Sequence, residues 1–462
     1  MRTTTATLRI DQKKLLRYCA WFMLFIVLVV ASSVTLLADE EADKTEEERY
    51  YELMSLFVDT FEKIEKNYVD EIDRREMVEA AVRGMLRELD PYSNYISRKD
   101  IDRFNQSVDQ EFGGIGIQVY LDPETNRLTV MTPLPGTPAY SAGVKAGDTI
   151  LEIEGKSTEG FTVADAVELL KGNRGDKVKL KLLHPESAEP VELEVERGVI
   201  KLSTVLGMYY NEDASWNYWL DEEKKIAYIR LTHFSRRSAE ELQVVLDELV
   251  LNGMRGLIFD LRSNPGGLLT QATAISDMFI ESGRIVSTKG RNTPERVWDA
   301  RAEGTYSGFP MAVLVNDFSA SASEIVSACL QDHDRAIVVG ERTWGKGSVQ
   351  NVFDLEDGGS ALKLTTASYH RPSGKNIHRT RNAKDEDDWG VIPNEGYVIP
   401  YTTEQLRSYL EYRRKLDVIG AKPEDIEKFD DTQLTKAVEY IEGQIATPGE
   451  QPTAKAEPAK AE

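Results

Sequence analysis

The chain has 462 residues, 41% of them hydrophobic, which is enough for the cores of about two to four ordinary domains. Asp and Glu outnumber Lys and Arg by 78 to 56, so the formal net charge is −22. An acidic chain without a basic block is a poor ligand for phosphate backbones, and nucleic-acid binding is therefore not expected.

The first predicted element is a membrane span at 18–38 (YCAWFMLFIVLVVASSVTLLA), which contains no charge over a length sufficient to cross a bilayer. Five basic residues precede it and three acidic residues follow it. This asymmetry predicts a cytoplasmic segment at 1–17 and a single-pass anchor in the cell membrane, with the rest of the chain extracytoplasmic, on the periplasmic or extracellular side. The alternative is a signal peptide cleaved before Asp39, but the length of the apolar run favours a retained anchor.

Helical periodicity follows from 45 to 88, until Pro91 in LDPYSNYI ends the helical segment. From Phe112 to about Arg197 the pattern changes: GGIGIQVYL and RLTVMTPL alternate like strands, and TVADAVELLKG is typical of an amphipathic helix.

The next segment alternates strands with helices, which predicts an α/β sheet. Its strands are KIAYIRL, GLIFDL, MAVLVN and RAIVVGE, and its helices are SAEELQVVLDELV, LLTQATAISDMF and SEIVSACLQ. Ser238 and Glu241 are expected to form a capping box for the first helix. Residues 403–443 return to helix, and the tail TPGEQPTAKAEPAKAE is expected to be disordered.

Serines 319, 321 and 323 lie between the strand MAVLVN and the helix that follows it. A serine at such a turn can act as a nucleophile, because the unpaired N–H groups of the helix start can face an oxyanion. Ser321-x-x-Glu324 is also a capping box, and on these residues alone the capping interpretation is preferred.

Two further stretches have the composition of a reactive site. In DLRSNPGGLL, Gly266 and Gly267 lie between a strand and a helix, where adjacent N–H groups can bind an anion; a plain turn is the simpler interpretation. In ERTWGKGSVQ, Lys346 precedes Gln350 by four residues. Apolar surroundings would lower the pKa of Lys346 and make it a base for serine, although most loop lysines are merely solvated.

Histidine, cysteine and metal chemistry are less favoured. None of the five histidines lies in a recognisable triad motif, so a Ser-His site using His333 remains only an alternative. Cys19 and Cys329 predict no disulfide, and Cys329 is interpreted as a small buried residue. No spacing resembles a zinc site, and neither a metal nor a cofactor is predicted.

Taken in order, these motifs resemble the carboxyl-terminal processing proteases, also called tail-specific proteases, of serine peptidase family S41. The resemblance extends from about Leu56 to Pro393. It is carried by LDPYSNYI, EFGGIGIQV, GTPAYSAGVKAGDTILEIEG, YIRLTHF, DLRSNPGG, SASASEIV, ERTWGKGSVQ and YHRPSGKNI. The charged segment RTRNAKDEDDWG is longer than the family pattern.

The resemblance implies the roles of the site residues. Ser321 matches the nucleophile, Lys346 the general base, and Gln350 the residue that orients this lysine. The N–H of Ala322, with one from Gly266 or Gly267, would form the oxyanion hole. The resemblance also implies a PDZ domain, whose carboxylate-binding loop matches Gly113, Gly114, Ile115, Gly116 and Ile117 and would hold the C-terminus of a protein substrate.

The expected fold class is therefore multidomain α/β (α+β). Its segments are a cytoplasmic stretch (1–17), a membrane helix (18–38), a helical domain (39–110), a PDZ domain (111–198), a ClpP/crotonase-like α/β serine protease core (199–402), a helical region (403–445) and a tail (446–462). The expected function is that of a membrane-anchored serine endopeptidase that recognises protein C-terminal tails. The alternative is a non-catalytic PDZ scaffold on a protease-like core. The sequence leaves open the natural substrate, an adaptor and whether the chain forms homo-oligomers.

Overall fold

A computed structural model describes residues 45–185 and 187–446 of the chain. The predicted segments at 1–17 and 18–38, and the tail after Ala446, lie outside the described residues. Among the helices that are described, none is long and apolar enough to cross a membrane. The chain divides after Gly84 into two compact units.

Two helices form the first unit: α1, Glu46–Asn67, and α2, Arg74–Arg87, whose last residues lie beyond the division. α1 begins at a capping box, in which Thr45 N donates to Glu48 Oε2 at 2.9 Å and Glu48 N donates to Thr45 Oγ1 at 3.3 Å. No residue of α1 is buried. The exposed large apolar side chains of this helix are Tyr50, Tyr51, Leu53, Met54, Leu56, Phe57, Val58 and Ile64. The helical segment predicted from periodicity is thus present.

The second unit opens with a short strand and helix, followed by the segment predicted to be a PDZ domain. Its strands are β1, Asn94–Ile96; β2, Glu111–Gly114; β3, Ile117–Leu121; β4, Leu128–Pro133; β5, Thr149–Ile153; β6, Lys156–Ser157; β7, Lys177–Leu183; β8, Val191–Glu196; and β9, Gly198–Lys201. Its helices are α3, Ile101–Asp109; α4, Pro138–Ser141; and α5, Val163–Leu170.

Strands β3 to β8 form one antiparallel sheet in the order β3-β4-β5-β7-β8, with β6 paired to β5. The sequence of β7 explains its place in this sheet. Val178, Leu180 and Leu182 alternate with lysines, so one face of the strand is buried and the other faces solvent. β9 returns to pair with β2. Thr162 and Asp165 form a capping box at the start of α5.

The described remainder of the second unit contains two larger sheets, a two-stranded sheet of β11 and β12, and five helices. Its strands are β10, Val205–Leu206; β11, Tyr209–Tyr210; β12, Trp216–Asn217; β13, Trp219–Asp221; β14, Ile226–Leu231; β15, Gly256–Asp260; β16, Gly283–Lys289; β17, Arg296–Ala300; β18, Met311–Val315; β19, Ile337–Gly340; β20, Ser348–Leu355; and β21, Ser360–His370. Its helices are α6, Ser238–Leu251; α7, Leu269–Asp277; α8, Ala322–Asp332; α9, Thr403–Leu416; and α10, Thr432–Ala446, with 3₁₀ turns at Glu356–Gly358 and Pro423–Asp425.

The four strands predicted from KIAYIRL, GLIFDL, MAVLVN and RAIVVGE are parallel neighbours in the order β14-β15-β18-β19. Every residue of β15 and β18 is buried, because apolar clusters cover both faces of the sheet. Helix α10 covers one face through Ala437 and Ile441. The carboxyl ends of the strands meet at one edge, so the turns that follow β15 and β18 lie side by side.

The second sheet has the order β1-β21-β16-β17, with β20 paired to β21. The predicted capping box of α6 is wrong. Ser238 lies inside the helix and its Oγ accepts from Ser235 N at 2.8 Å, whereas Glu241 Oε2 accepts from Thr204 N at 2.8 Å. Glu241 therefore accepts a hydrogen bond from a residue distant in sequence, which the local pattern did not indicate.

Candidate active site

Ser321 lies in the turn between β18 and α8, with φ 58° and ψ −112°. A non-glycine residue in this region is strained, and a strained strand-to-helix turn is a geometry that can present a nucleophilic side chain; Ser321 itself is half-buried. The flanking serines have other partners: Ser319 Oγ donates to Leu261 O at 2.8 Å, and Ser323 Oγ donates to Asn264 O at 2.9 Å. Of the three serines, Ser321 lines the cavity described below.

The carboxylate of Glu324 joins the serine turn to the lysine loop. Its Oε2 accepts from Ser321 N at 2.7 Å and from Lys346 N at 2.8 Å. Its Oε1 accepts from Thr343 Oγ1 and from Gly345 N, both at 2.6 Å. Glu324 is fully buried, and burial raises its pKa although these four hydrogen bonds oppose the rise. The sequence pattern suggested only a helix cap, so this positioning role was missed.

Lys346 is half-buried beside the serine turn. Burial lowers its pKa, the charge of Lys363 lowers it further, and Glu324 acts in the opposite direction. Within the described residues its Nζ forms no ion pair or hydrogen bond, and it lies 5.0 Å from the centre of the Tyr92 ring. Burial and the charge of Lys363 thus both disfavour the protonated amine of Lys346.

Gln350 lies on β20 and lines the same cavity as Lys346. Its Nε2 donates to Ser348 Oγ at 2.9 Å and to Thr365 Oγ1 at 3.2 Å. Among the described contacts it forms no hydrogen bond with Lys346. Gln350 is thus near the lysine without orienting it in this arrangement.

The turn after β15 lies directly against the turn that carries Ser321. A methyl group on Gly266, where φ is +97°, would lie 2.9 Å from Ala322 N and 2.6 Å from Ala320 O, so glycine is required for this close approach. Gly266 N donates to Asn264 Oδ1 at 2.9 Å. In the part of the chain that is described, the N–H groups of Gly267 and Ala322 donate to no acceptor. Two adjacent backbone donors are therefore available next to Ser321.

These residues surround a cavity of about 330 Å³. Apolar side chains from α3, from the turn before α7 and from α8 form much of its wall, among them Phe104, Val108, Leu268 and Ile325. Tyr369 also lines it and donates its hydroxyl to Lys346 O. Burial raises the pKa of Tyr369 well above its usual range. The cavity can hold an apolar side chain next to the serine.

His333 and His233 differ in their position relative to the cavity. His333 caps the carboxyl end of α8, opposite Ser321, and its Nε2 is 2.7 Å from Arg284 O. His233, by contrast, lines the cavity, and burial lowers its pKa. His233 belongs to the motif YIRLTHF, but the motif indicated no catalytic role for it; it enters the site because it follows β14, the neighbour of β15.

The loop from Gly113 to Ile117 lies at the end of the antiparallel sheet, beside α5. Gly113 and Gly114 belong to β2, and Ile117 opens β3. Gly116 has φ +82°, and any side chain there would lie about 2.4 Å from Thr137. The carbonyl of Ile115 accepts from Ala139 N at 2.9 Å, whereas the N–H groups of Ile115 and Gly116 have no acceptor within the described residues. The loop thus presents backbone donors of the kind that bind a carboxylate.

Three family descriptions match the chain in sequence order. The activating protease CtpB N-terminal domain matches residues 23–100. The PDZ domain matches residues 129–183. Peptidase family S41 matches residues 225–394, the stretch that contains Ser321 and Lys346.

Individual relatives match over longer stretches. A carboxy-terminal-processing protease of Bartonella bacilliformis is 33% identical over 432 residues, covering 91% of this chain and 95% of the relative. The carboxy-terminal processing protease CtpA of Bacillus subtilis is 34% identical over 368 residues, covering 78% of this chain and 74% of the relative. A solved structure of a photosystem II D1 C-terminal processing protease is 27% identical, covers 80% of this chain and 98% of the other, and has a TM-score of 0.42.

Proposed function

The chain belongs to the carboxy-terminal processing proteases of serine peptidase family S41 and carries a PDZ domain, and from this premise we propose that Ser321 and Lys346 form its catalytic dyad. The observation that carries the proposal is a single cavity lined by both Ser321 and the half-buried Lys346, whose Nζ has no ion-pair or hydrogen-bond partner among the described residues. The fixed turn of Ser321 and the buried Glu324 that joins it to the lysine loop support the same assignment.

In the proposed mechanism, the neutral amine of Lys346 takes the proton from Ser321 Oγ as this oxygen attacks the scissile carbonyl. The N–H groups of Ala322 and Gly267 stabilise the oxyanion. Gly267 is preferred to Gly266 because the N–H of Gly266 is already donated to Asn264. The lysine ammonium then protonates the leaving amine, and the C–N bond breaks. Water, deprotonated by the same amine, hydrolyses the ester and restores Ser321.

Gln350 is proposed to act less directly than the family pattern implies. Its amide is bonded to Ser348 and Thr365, so in this arrangement it braces the wall next to Lys346. His233 is the rival base, since it is the histidine that lines the cavity. Its imidazole lacks the carboxylate partner that orients the base of a Ser-His-Asp triad, because none of the described residues lining the cavity is acidic.

Substrates are proposed to be extracytoplasmic proteins whose C-terminal tails bind the loop from Gly113 to Ile117. A tail peptide with a free carboxylate is expected to be hydrolysed with a kcat/KM about tenfold higher than its C-terminal amide, because charged hydrogen bonds to the loop are lost in the amide. Hydrolysis of matched peptides tests this, with Gly116→Ala as the variant expected to erase the difference. A small phosphonate that labels Ser321 equally in both proteins controls for folding. Equal hydrolysis of acid and amide by the wild type would contradict tail recognition.

The proposed anchor at 18–38 rests on its uncharged length and on the basic residues before it. The intact chain is expected to remain in membranes after an alkaline wash, with the protease segment digestible from the extracytoplasmic side. N-terminal sequencing that begins at Asp39 would instead show a cleaved signal peptide.

A further inference from the structure

Lys363 lines the catalytic cavity although no sequence motif pointed to it. It lies on β21, between Asn94 of β1 and Val352 of β20, and its side chain is half-buried. Alternation along the strand puts Lys363 and Thr365 on one face. Thr365 Oγ1 accepts from Gln350 Nε2, and Gln350 also lines the cavity. This face of β21 therefore forms a wall of the catalytic cavity.

Among the described residues, no acidic side chain pairs with the ammonium group of Lys363. It forms no ion pair, hydrogen bond or ring contact with the residues at 45–185 and 187–446, in a chain whose formal net charge is −22. Burial lowers its pKa. A half-buried cation without a partner costs free energy, so a stabilising role does not account for it.

The groups that face Lys346 indicate how the charge of Lys363 can affect the Lys346 amine. Glu324 on α8 accepts from Lys346 N at 2.8 Å, and its negative charge favours the protonated amine. His233 and Tyr369, the other titratable groups of the cavity wall, are held neutral near pH 7 by burial. The Tyr92 ring faces the ammonium from the segment before β1. Of the charged groups around the amine, Lys363 is the one that opposes Glu324.

We propose that Lys363 is a positioning residue of the proteolytic site, which keeps Lys346 unprotonated by like-charge repulsion across the cavity. This inference rests on the Ser321–Lys346 mechanism proposed above. Burial acts on both lysines, and the repulsion between them disfavours the state in which both are protonated. The negative charge of the buried Glu324 favours the protonated form of the base, and Lys363 offsets that effect.

The test compares the full-length wild type with Lys363→Met and Lys363→Arg on a peptide without ionisable side chains, from pH 6 to 10.5. In Lys363→Met the acid limb of kcat/KM is expected to move about 0.5–1 pH unit upward, because the protonated form of Lys346 is no longer disfavoured. The rate below the limb falls about 3–10-fold, whereas the alkaline plateau stays the same. Lys363→Arg, which keeps the charge, is expected to retain the wild-type limb.

Lys289→Met is the matched control, since Lys289 lies on the adjacent β16 and pairs with Glu295 at 3.6 Å, outside the cavity. An unmoved acid limb in Lys363→Met, with only a lower plateau, would overturn the inference and assign Lys363 to packing or substrate contact. If Lys363→Met does not fold, Lys363→Gln gives the same comparison. Wild-type hydrolysis that survives Ser321→Ala would instead overturn the proposed mechanism, so the two failures are distinguishable.

Discussion

Ser321→Ala is expected to lower the rate of hydrolysis of an unfolded protein with an apolar tail by at least about 10³-fold. The reason is chemical: the variant has no oxygen that can form the acyl-enzyme. Its fold is expected to persist, because alanine keeps the backbone N–H that donates to Glu324 Oε2 at 2.7 Å. Binding of tail peptides by the PDZ domain is expected to be unchanged. Rates and peptide titrations on the same preparations measure both.

Ser323→Ala is the matched control, two residues along the same turn. Ser323 is fully buried and donates to Asn264 O, so its loss is expected to lower the free energy of unfolding by about 1–3 kcal/mol while hydrolysis persists. Equal hydrolysis by the wild type and Ser321→Ala would place the nucleophile elsewhere. Binding without hydrolysis in both proteins would favour the non-catalytic PDZ scaffold.

Local sequence patterns gave correct predictions for features that depend on a single helix or strand. The run MAVLVN is apolar at every position but its last, and β18 is buried on both faces. The amphipathic helix predicted from TVADAVELLKG is likewise present as α5. The resemblance to family S41 was confirmed by relatives that match most of the chain.

Contacts between distant elements were not predictable in this way. The pattern Ser-x-x-Glu indicated a cap, but three of the four donors to Glu324 come from 19 to 22 residues later. A carboxylate among the small and apolar residues at the start of α8 was the available signal. Lys363 lies in no motif, and the motif YIRLTHF gave His233 no role; they reach the cavity because β21 pairs with β20 and because β14 adjoins β15.

The buried charges of the site lower the free energy of unfolding, and a substitution of Lys346 allows this effect to be measured. Burial and Lys363 lower the pKa of Lys346 from its ordinary value of 10.5 in the folded chain. Between the lowered pKa and 10.5, the unfolded chain binds more protons than the folded chain, so wild-type stability rises with pH across this window. Below the window the folded chain carries a constant penalty for the charged amine.

Lys346→Met removes that penalty together with the base. Hydrolysis is expected to fall about 10²–10⁴-fold, because Ser321 is no longer deprotonated. The free energy of unfolding at neutral pH is expected to equal or exceed that of the wild type, and the difference should shrink as the pH approaches 10.5. Urea unfolding of both proteins from pH 7 to 10.5, with a hydrolysis assay at each pH, measures the two effects. A variant that loses stability equally at every pH would show that Lys346 contributes packing, and retained hydrolysis would transfer the role of base to His233.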